Sequence, residues 1–239
     1  MILIYMRAIF PKCAWLLGKQ MGACMHNCFL CHGHAPFVED APLITIQSLL
    51  DWCSKFEASG MDTKHAKMFK NVVHKTLLQF PPETPIIKVL NIPELHLMIG
   101  IATKLLDYVE KTIGGEAGTT WVSEFLVSLN ISRSYYQGRR SINGNDARTV
   151  LREANQLEKK AESLTGEVSA KVMAAVKALT AFNTVVASCF AQEIKGDYKA
   201  AIATFSKCYR AIPGITVTPK VHIVEKHVAE FLDMKAAMG

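Results

Sequence analysis

The stretch VSAKVMAAVKALTAFNTVVASCFAQEI (168–194) contains no proline and no glycine, is rich in alanine and carries apolar residues on most of its sides. A helix with that pattern is stable only when it is covered nearly all round, so it reads as the central helix of a mainly α fold. Upstream, ARTVLREANQLEKKAESL (147–164) is charged and amphipathic, with Asn145 or Asp146 as its cap, and Gly166 separates it from the central run. Downstream, 197–211 forms a helix that stops at Pro213-Gly214. Thr218-Pro219 then opens a last helix, KVHIVEKHVAEFLDMKAA (220–237).

The same grammar continues toward the N-terminus. Pro93 precedes ELHLMIGIATKLLDYVEKTI (94–113), which Gly114-Gly115 ends, and a shorter helix runs from Trp121 to Leu129. TIQSLLDWCSKFEA (45–58) puts Ile46, Leu49, Leu50, Cys53 and Phe56 on one face and stops at Ser59-Gly60. A further helix is expected from a cap at Asp62 or Thr63, through Met68, Val72 and Leu77, to the breaker Phe80-Pro81-Pro82. Only residues 1–10 and 86–90 read as strand. The turn-rich, basic segment SRSYYQGRRSINGN (132–145) is the strongest internal break, and no repeat of fixed period occurs.

Composition agrees with a folded helical chain. Of 239 residues half are hydrophobic and 20% charged, with 27 basic against 21 acidic residues for a net charge of +6. This size suits one large domain or two small ones and excludes disordered and fibrous classes. Charges interrupt the hydrophobic runs before the roughly 18–20 residues of a membrane span, so no membrane is expected as a partner. The opening MILIYMRAIFPKCAWLLG is broken by Arg7, Pro11 and Lys12 and reads as folded core rather than as a signal peptide. Seven cysteines, an odd number with three crowded at Cys24, Cys28 and Cys31, point to a reducing compartment rather than a disulfide framework.

Two spacings carry chemistry. Cys28-Phe29-Leu30-Cys31 is a C-x-x-C pair, whose thiolates in a tight turn can face one ion. C-x-x-C is also a redox motif, but that use belongs where a strand runs into a helix. The remaining ligands can be local, from Cys24, His26, His32 and His34, or distant, from His222 and His227, which are spaced as H-x4-H. Positions five apart on a regular helix diverge by about 140°, so the distant pair requires a loosened turn or a histidine at the helix start. The plain alternative is two buried thiols and two ordinary helix histidines. His96 reads as a core or interface histidine, and His65 and His74 as surface residues. Arg133, Arg139, Arg140, Arg148 and Arg152, with Tyr135 and Tyr136 among them, form a basic stretch that can contact phosphate and stack on bases or else serve as a solvated loop. No G-x-S-x-G, P-loop or G-x-G-x-x-G is present.

Four motifs in order resemble the C-terminal half of DDE-type transposases, in particular the V(D)J recombinase large subunit and its Transib-like relatives. They are Cys28 with Cys31; Leu95-His96 with Gly100; Asn143-Gly144-Asn145 with Ala147-Arg148; and His222 with His227. The likeness covers about residues 20–235. It implies that these cysteines and histidines bind one structural zinc, and that the chain is a helical insertion domain of an RNase H-like core with a remnant strand at its N-terminus. The implied division is 1–37 as core remnant, 38–215 as the helical insertion and 216–239 as the zinc-bearing last helix. In such enzymes three acidic residues hold two divalent metal ions that cleave and transfer DNA strands.

This chain departs from the pattern at the acids. The second aspartate is expected about twenty residues before the C-x-x-C, yet no acid precedes Glu39, and Met6-Arg7 stands near the equivalent place. Glu225 and Glu230 lie too close to the histidines to replace the family's glutamate, which follows the last helix. The expectation is therefore a catalytically inactive, zinc-bound helical domain that binds DNA through Arg133, Arg139, Arg140 and Arg148, or a protein partner. Self-association and a nuclear location are what the resemblance implies. The competing reading is an active nuclease completed by acids from flanking sequence or from a partner chain.

Overall fold

A computed structural model of the chain describes residues 10–20, 28–37, 40–132, 134–136, 139–191, 194 and 196–238. In chain order its helices are α1 (Phe10–Leu16), α2 (Ile46–Ser59), α3 (Glu94–Ile113), α4 (Gly115–Ser128) and α5 (Gly144–Arg152). They are followed by α6 (Ala154–Ala161), α7 (Gly166–Cys189), α8 (Tyr198–Arg210), α9 (Pro219–Lys226) and α10 (Val228–Met238). One antiparallel hairpin, β1 (Ser134–Tyr136) with β2 (Arg139–Ser141), is the only named sheet among the described residues. The protein is mainly helical, as the patterning requires.

Two compact units divide the chain: 94–216 form one, and 1–93 together with 217–239 form the other. Residues 38–93, assigned from sequence to the helical insertion, thus cluster with the chain's two ends.

The unit of 94–216 is built on α7, which packs against α8, α3, α6 and α5. Its buried residues include Val172, Val176, Leu179, Phe182 and Val185, and Phe182 meets Phe205 of α8 at 4.9 Å between ring centroids. Burying each such side chain contributes about 1.5–3 kcal/mol. By length and composition α7 is also apolar enough to cross a membrane, which the sequence reading did not anticipate. Slightly more than half of its most apolar window is buried inside the protein, as for a core helix. Gly118 allows α4 to lie on α3, because a Cβ there would overlap the Glu110 carbonyl oxygen.

In the unit formed by the two ends, Thr45 and Ser48 make a reciprocal capping box at the start of α2, and Gly60, at φ 61°, closes the helix. Several expectations need correction. The helix expected from Asp62 to Leu77 is a 3-10 segment, Thr63–Phe69, ended by left-handed Lys70 and Asn71. The expected strand 86–90 instead contains a short 3-10 turn, Ile86–Lys88, which follows a bridge of Thr45 to Pro85. Residues 147–164 break into α5 and α6 at Glu153, and Asn143 rather than Asn145 or Asp146 caps α5, accepting the Asp146 N–H at 2.9 Å. α4 begins at Gly115, before the expected Trp121. Of the expected N-terminal strand, 1–9 lie outside the described residues and Phe10 opens α1.

Candidate metal centre

Cys28, Cys31, His222 and His227 come together in the unit formed by the two ends of the chain. All four are buried, and their ligand atoms lie within 4.8 Å of one another. Cys28 Sγ is 3.6 Å from His227 Nε2, and Cys31 Sγ is 3.2 Å from His222 Nε2. With metal–sulfur bonds near 2.3 Å and metal–nitrogen bonds near 2.0–2.1 Å, adjacent ligands of a tetrahedral ion stand about 3.5 Å apart. The observed separations therefore fit a single ion.

The geometry begins in the C-x-x-C turn. The Leu30 N–H points to Cys28 Sγ at 3.4 Å and the Gly33 N–H to Cys31 Sγ at 3.3 Å, contacts that favour thiolates. The turn is pinned on both sides. Lys19 Nζ donates to the Cys28 carbonyl at 2.8 Å, the His32 N–H donates to the Pro42 carbonyl, and the Ile44 N–H donates to the Leu30 carbonyl. No helix lies within 28–37, which removes the strand-to-helix setting of a redox C-x-x-C.

His222 lies inside α9, which Thr218 caps and Pro219 opens. His227 sits at the junction of α9 and α10 with φ −117° and ψ −21°, its N–H still donating to the Ile223 carbonyl. This loosened turn brings two histidines five positions apart to the same point, one of the two solutions the spacing allowed. Phe37, itself left-handed at φ 60°, stacks on the His222 ring at 4.4 Å. Glu230 Oε2 stands 3.7 Å from His227 Nδ1, beyond hydrogen-bond length but on the side of the ring where a carboxylate would steady a ligating imidazole.

The thiols are electrostatically unequal. The hydrogen bond with Cys28, then those with His222 and His227, hold Cys31 far below the usual thiol range, whereas burial pushes Cys28 well above it. Two buried thiolates would carry two negative charges, which a divalent cation balances. Two soft thiolates with two imidazoles suit zinc among common ions.

The local alternatives fare differently. His32 is half-buried and His34 exposed, and neither joins the group; Cys24 and His26 lie outside the described residues. Of the other thiols, Cys13, Cys53 and Cys189 are buried and Cys208 is half-exposed, and burial pushes Cys13 and Cys189 up to about 11. His96 is half-buried in α3 and His65 is exposed, as expected; His74 is half-buried rather than on the surface. In the basic stretch, Arg133 lies outside the described residues, while Arg139 and Arg140 fall on β2 opposite Tyr136 and Tyr135. Arg148 and Arg152 are exposed on α5, and Arg152 pairs with Glu153 at 3.0 Å. Sequence reasoning missed Lys19, Gly33 and Phe37 as supports of the centre.

Neither a protein-family model nor a curated protein matches this chain.

Proposed function

We propose that this protein is a helical domain of transposase descent, fastened by one structural zinc on Cys28, Cys31, His222 and His227, that binds DNA without cleaving it. The observation that supports this reading is the convergence of a C-x-x-C turn and an H-x4-H pair across 191 residues of chain onto one buried group of two sulfurs and two imidazoles. The ion would supply charge balance and a cross-link between the chain's two ends. The protein's own groups do the rest: Gly33 and Leu30 N–H groups hold the thiolates, Phe37 fixes the His222 ring, and Glu230 faces the outer nitrogen of His227.

DNA binding is assigned to the hairpin and the start of α5, where Arg139 and Arg140 precede exposed Arg148. Arginine contacts of this kind neutralise phosphates and release counterions. The inactive reading is supported by the second aspartate of the resembled pattern, for which residues 1–38 offer no acid.

The test has two arms. Mass spectrometry of the native protein should find about one zinc per chain, lost on Cys31→Ser or His227→Ala; less than half an equivalent in the wild type sinks the metal assignment. Fluorescence anisotropy with duplex DNA across a salt series should show salt-dependent binding, and each of Arg139→Ala, Arg140→Ala and Arg148→Ala should lower the magnitude of the log–log slope by about one. Unchanged slopes reject the DNA face, and magnesium- or manganese-dependent nicking rejects the inactive reading.

A further inference from the structure

The four ligands divide unevenly along the chain. Both sulfurs, on Cys28 and Cys31, belong to the piece 1–93, and both imidazoles, on His222 and His227, belong to the piece 217–239. An ion held by all four ties the two pieces together, and loss of either half-site cuts that tie.

The sulfur half-site can be lost by a change confined to its own turn. The two sulfurs lie no more than 4.8 Å apart, at the ends of a four-residue turn that contains no helix. Joining them asks only for side-chain rotation and a small closing of that turn. The resulting disulfide would link Cys28 to Cys31 within one piece and constrain nothing in the other. It would also remove both thiolates, the form in which cysteine ligates a metal, and leave two imidazoles alone.

A small oxidant has a route to one of the sulfurs. A cavity of about 530 Å³ lies in the same unit, and the residues that follow Cys31, namely His32, Gly33 and His34, form part of its wall. Gly33 also gives its N–H to Cys31 Sγ at 3.3 Å. Cys31 is only 1% exposed, yet a single residue without a side chain stands between its sulfur and the cavity. Such a barrier excludes bulky reagents more effectively than molecules the size of water or hydrogen peroxide.

We propose that Cys28 and Cys31 form a peroxide-sensitive pair, whose oxidation to a disulfide releases the zinc and uncouples the two pieces of the unit. The inference rests on the zinc reading given above. Cys31 Sγ attacks one oxygen of hydrogen peroxide, the O–O bond breaks, and the sulfur is left as a sulfenic acid while one water departs. Cys28 Sγ then attacks that sulfur and displaces its oxygen as a second water. Two thiolates have lost two electrons to one peroxide, two protons have been taken up, and zinc leaves unreduced as the dication. The change is stoichiometric, unlike the exchange catalysed where a C-x-x-C opens a helix. Lys226 with Asp40 at 2.6 Å, and Phe37 on the His222 ring, still join the pieces, so the oxidised unit is loosened rather than unfolded.

Hydrogen peroxide added to the zinc-loaded full chain tests this, with released zinc followed by a chromogenic chelator and cysteine states mapped by peptide mass spectrometry. About one zinc should appear for each Cys28–Cys31 disulfide formed. Melting of the oxidised chain should match that of the metal-stripped chain, and reductant should restore it only when zinc is supplied as well. Cys24→Ser, which spares all four ligands, should respond like the wild type. A chain that carries no zinc before the oxidant is added overturns the metal assignment and this inference together. The inference alone is overturned if zinc stays bound at a peroxide dose that oxidises the half-exposed Cys208. It is equally overturned if zinc leaves with Cys28 and Cys31 as sulfinic acids or joined to other cysteines, or if the disulfide forms and melting does not change.

Discussion

Gly33 shows how tightly a single position can be held by the centre it serves. Its φ is not in the left-handed region, so conformational freedom is not the reason for glycine; space is. A Cβ at this position would sit 3.1 Å from Cys31 Sγ and 3.3 Å from His222 Nε2, closer than side-chain carbons ordinarily approach such atoms. Gly33→Ala should therefore push two ligands apart without removing either. Overpacking of this kind costs about 1–3 kcal/mol, so zinc affinity measured against a competing chelator should fall about tenfold or more. Affinity equal to wild type would show that the loop yields at no cost. Each candidate half-site was legible from spacing, because C-x-x-C and H-x4-H are rules about neighbours along the chain; that the two halves share one ion was what the family resemblance implied, since spacing alone left Cys24, His26, His32 and His34 open. Gly33, Phe37 and Lys19 were not, since no spacing rule ties a residue outside the pair to the sulfur or ring it supports.

Gly118, in the first turn of α4 where that helix meets α3, poses the corresponding question for a pair of elements. Gly114 and Gly115 turn the chain sharply after α3, and α4 returns along it so closely that an added Cβ at 118 would overlap the Glu110 carbonyl oxygen. Backbone cannot move aside as a side chain can, so Gly118→Ala should destabilise by about 2–3 kcal/mol in denaturant titration. A change below 0.5 kcal/mol would mean that the two helices separate freely. Elements of this unit were readable because long amphipathic runs end in recognisable stops: α3, α7 and α8 lie close to where periodicity and Gly or Pro breakers put them. The interruption at Glu153 was not, because it carries no glycine or proline and tertiary packing rather than local propensity sets it; the loosened turn at His227 was one of the two solutions that the H-x4-H spacing required. The segment after Asp62 failed for a related reason. Its apolar residues sustain a helical pattern, but Lys70 and Asn71 turn left-handed and let Asn71 accept the Gln20 N–H through its carbonyl, a long-range contact invisible in the local sequence. Ile86, Ile87 and Val89 favour a strand by branching, yet only one bridge forms there before the chain turns.

For the molecule as a whole, the placement of the ligands decides which part of it a metal can stabilise. All four belong to the unit made from 1–93 and 217–239, a body whose two pieces are adjacent in space but separated in sequence by the whole of 94–216. A discontinuous unit must bring distant segments together, and a cross-link between them is the most direct way to offset the entropy of doing so. The unit 94–216 is a single continuous segment with its own apolar centre on α7 and no part in the ligand set. Calorimetry of the full chain should accordingly resolve two transitions, of which only one shifts down with a strong chelator, by several degrees or more, and recovers on adding zinc back. Residues 94–216 expressed alone should give helical circular dichroism and a melting temperature indifferent to the chelator. A fragment that is unfolded alone, or a chelator that moves both transitions equally, would show that the two units fold as one and that the ion stabilises the whole chain rather than the body that contains it.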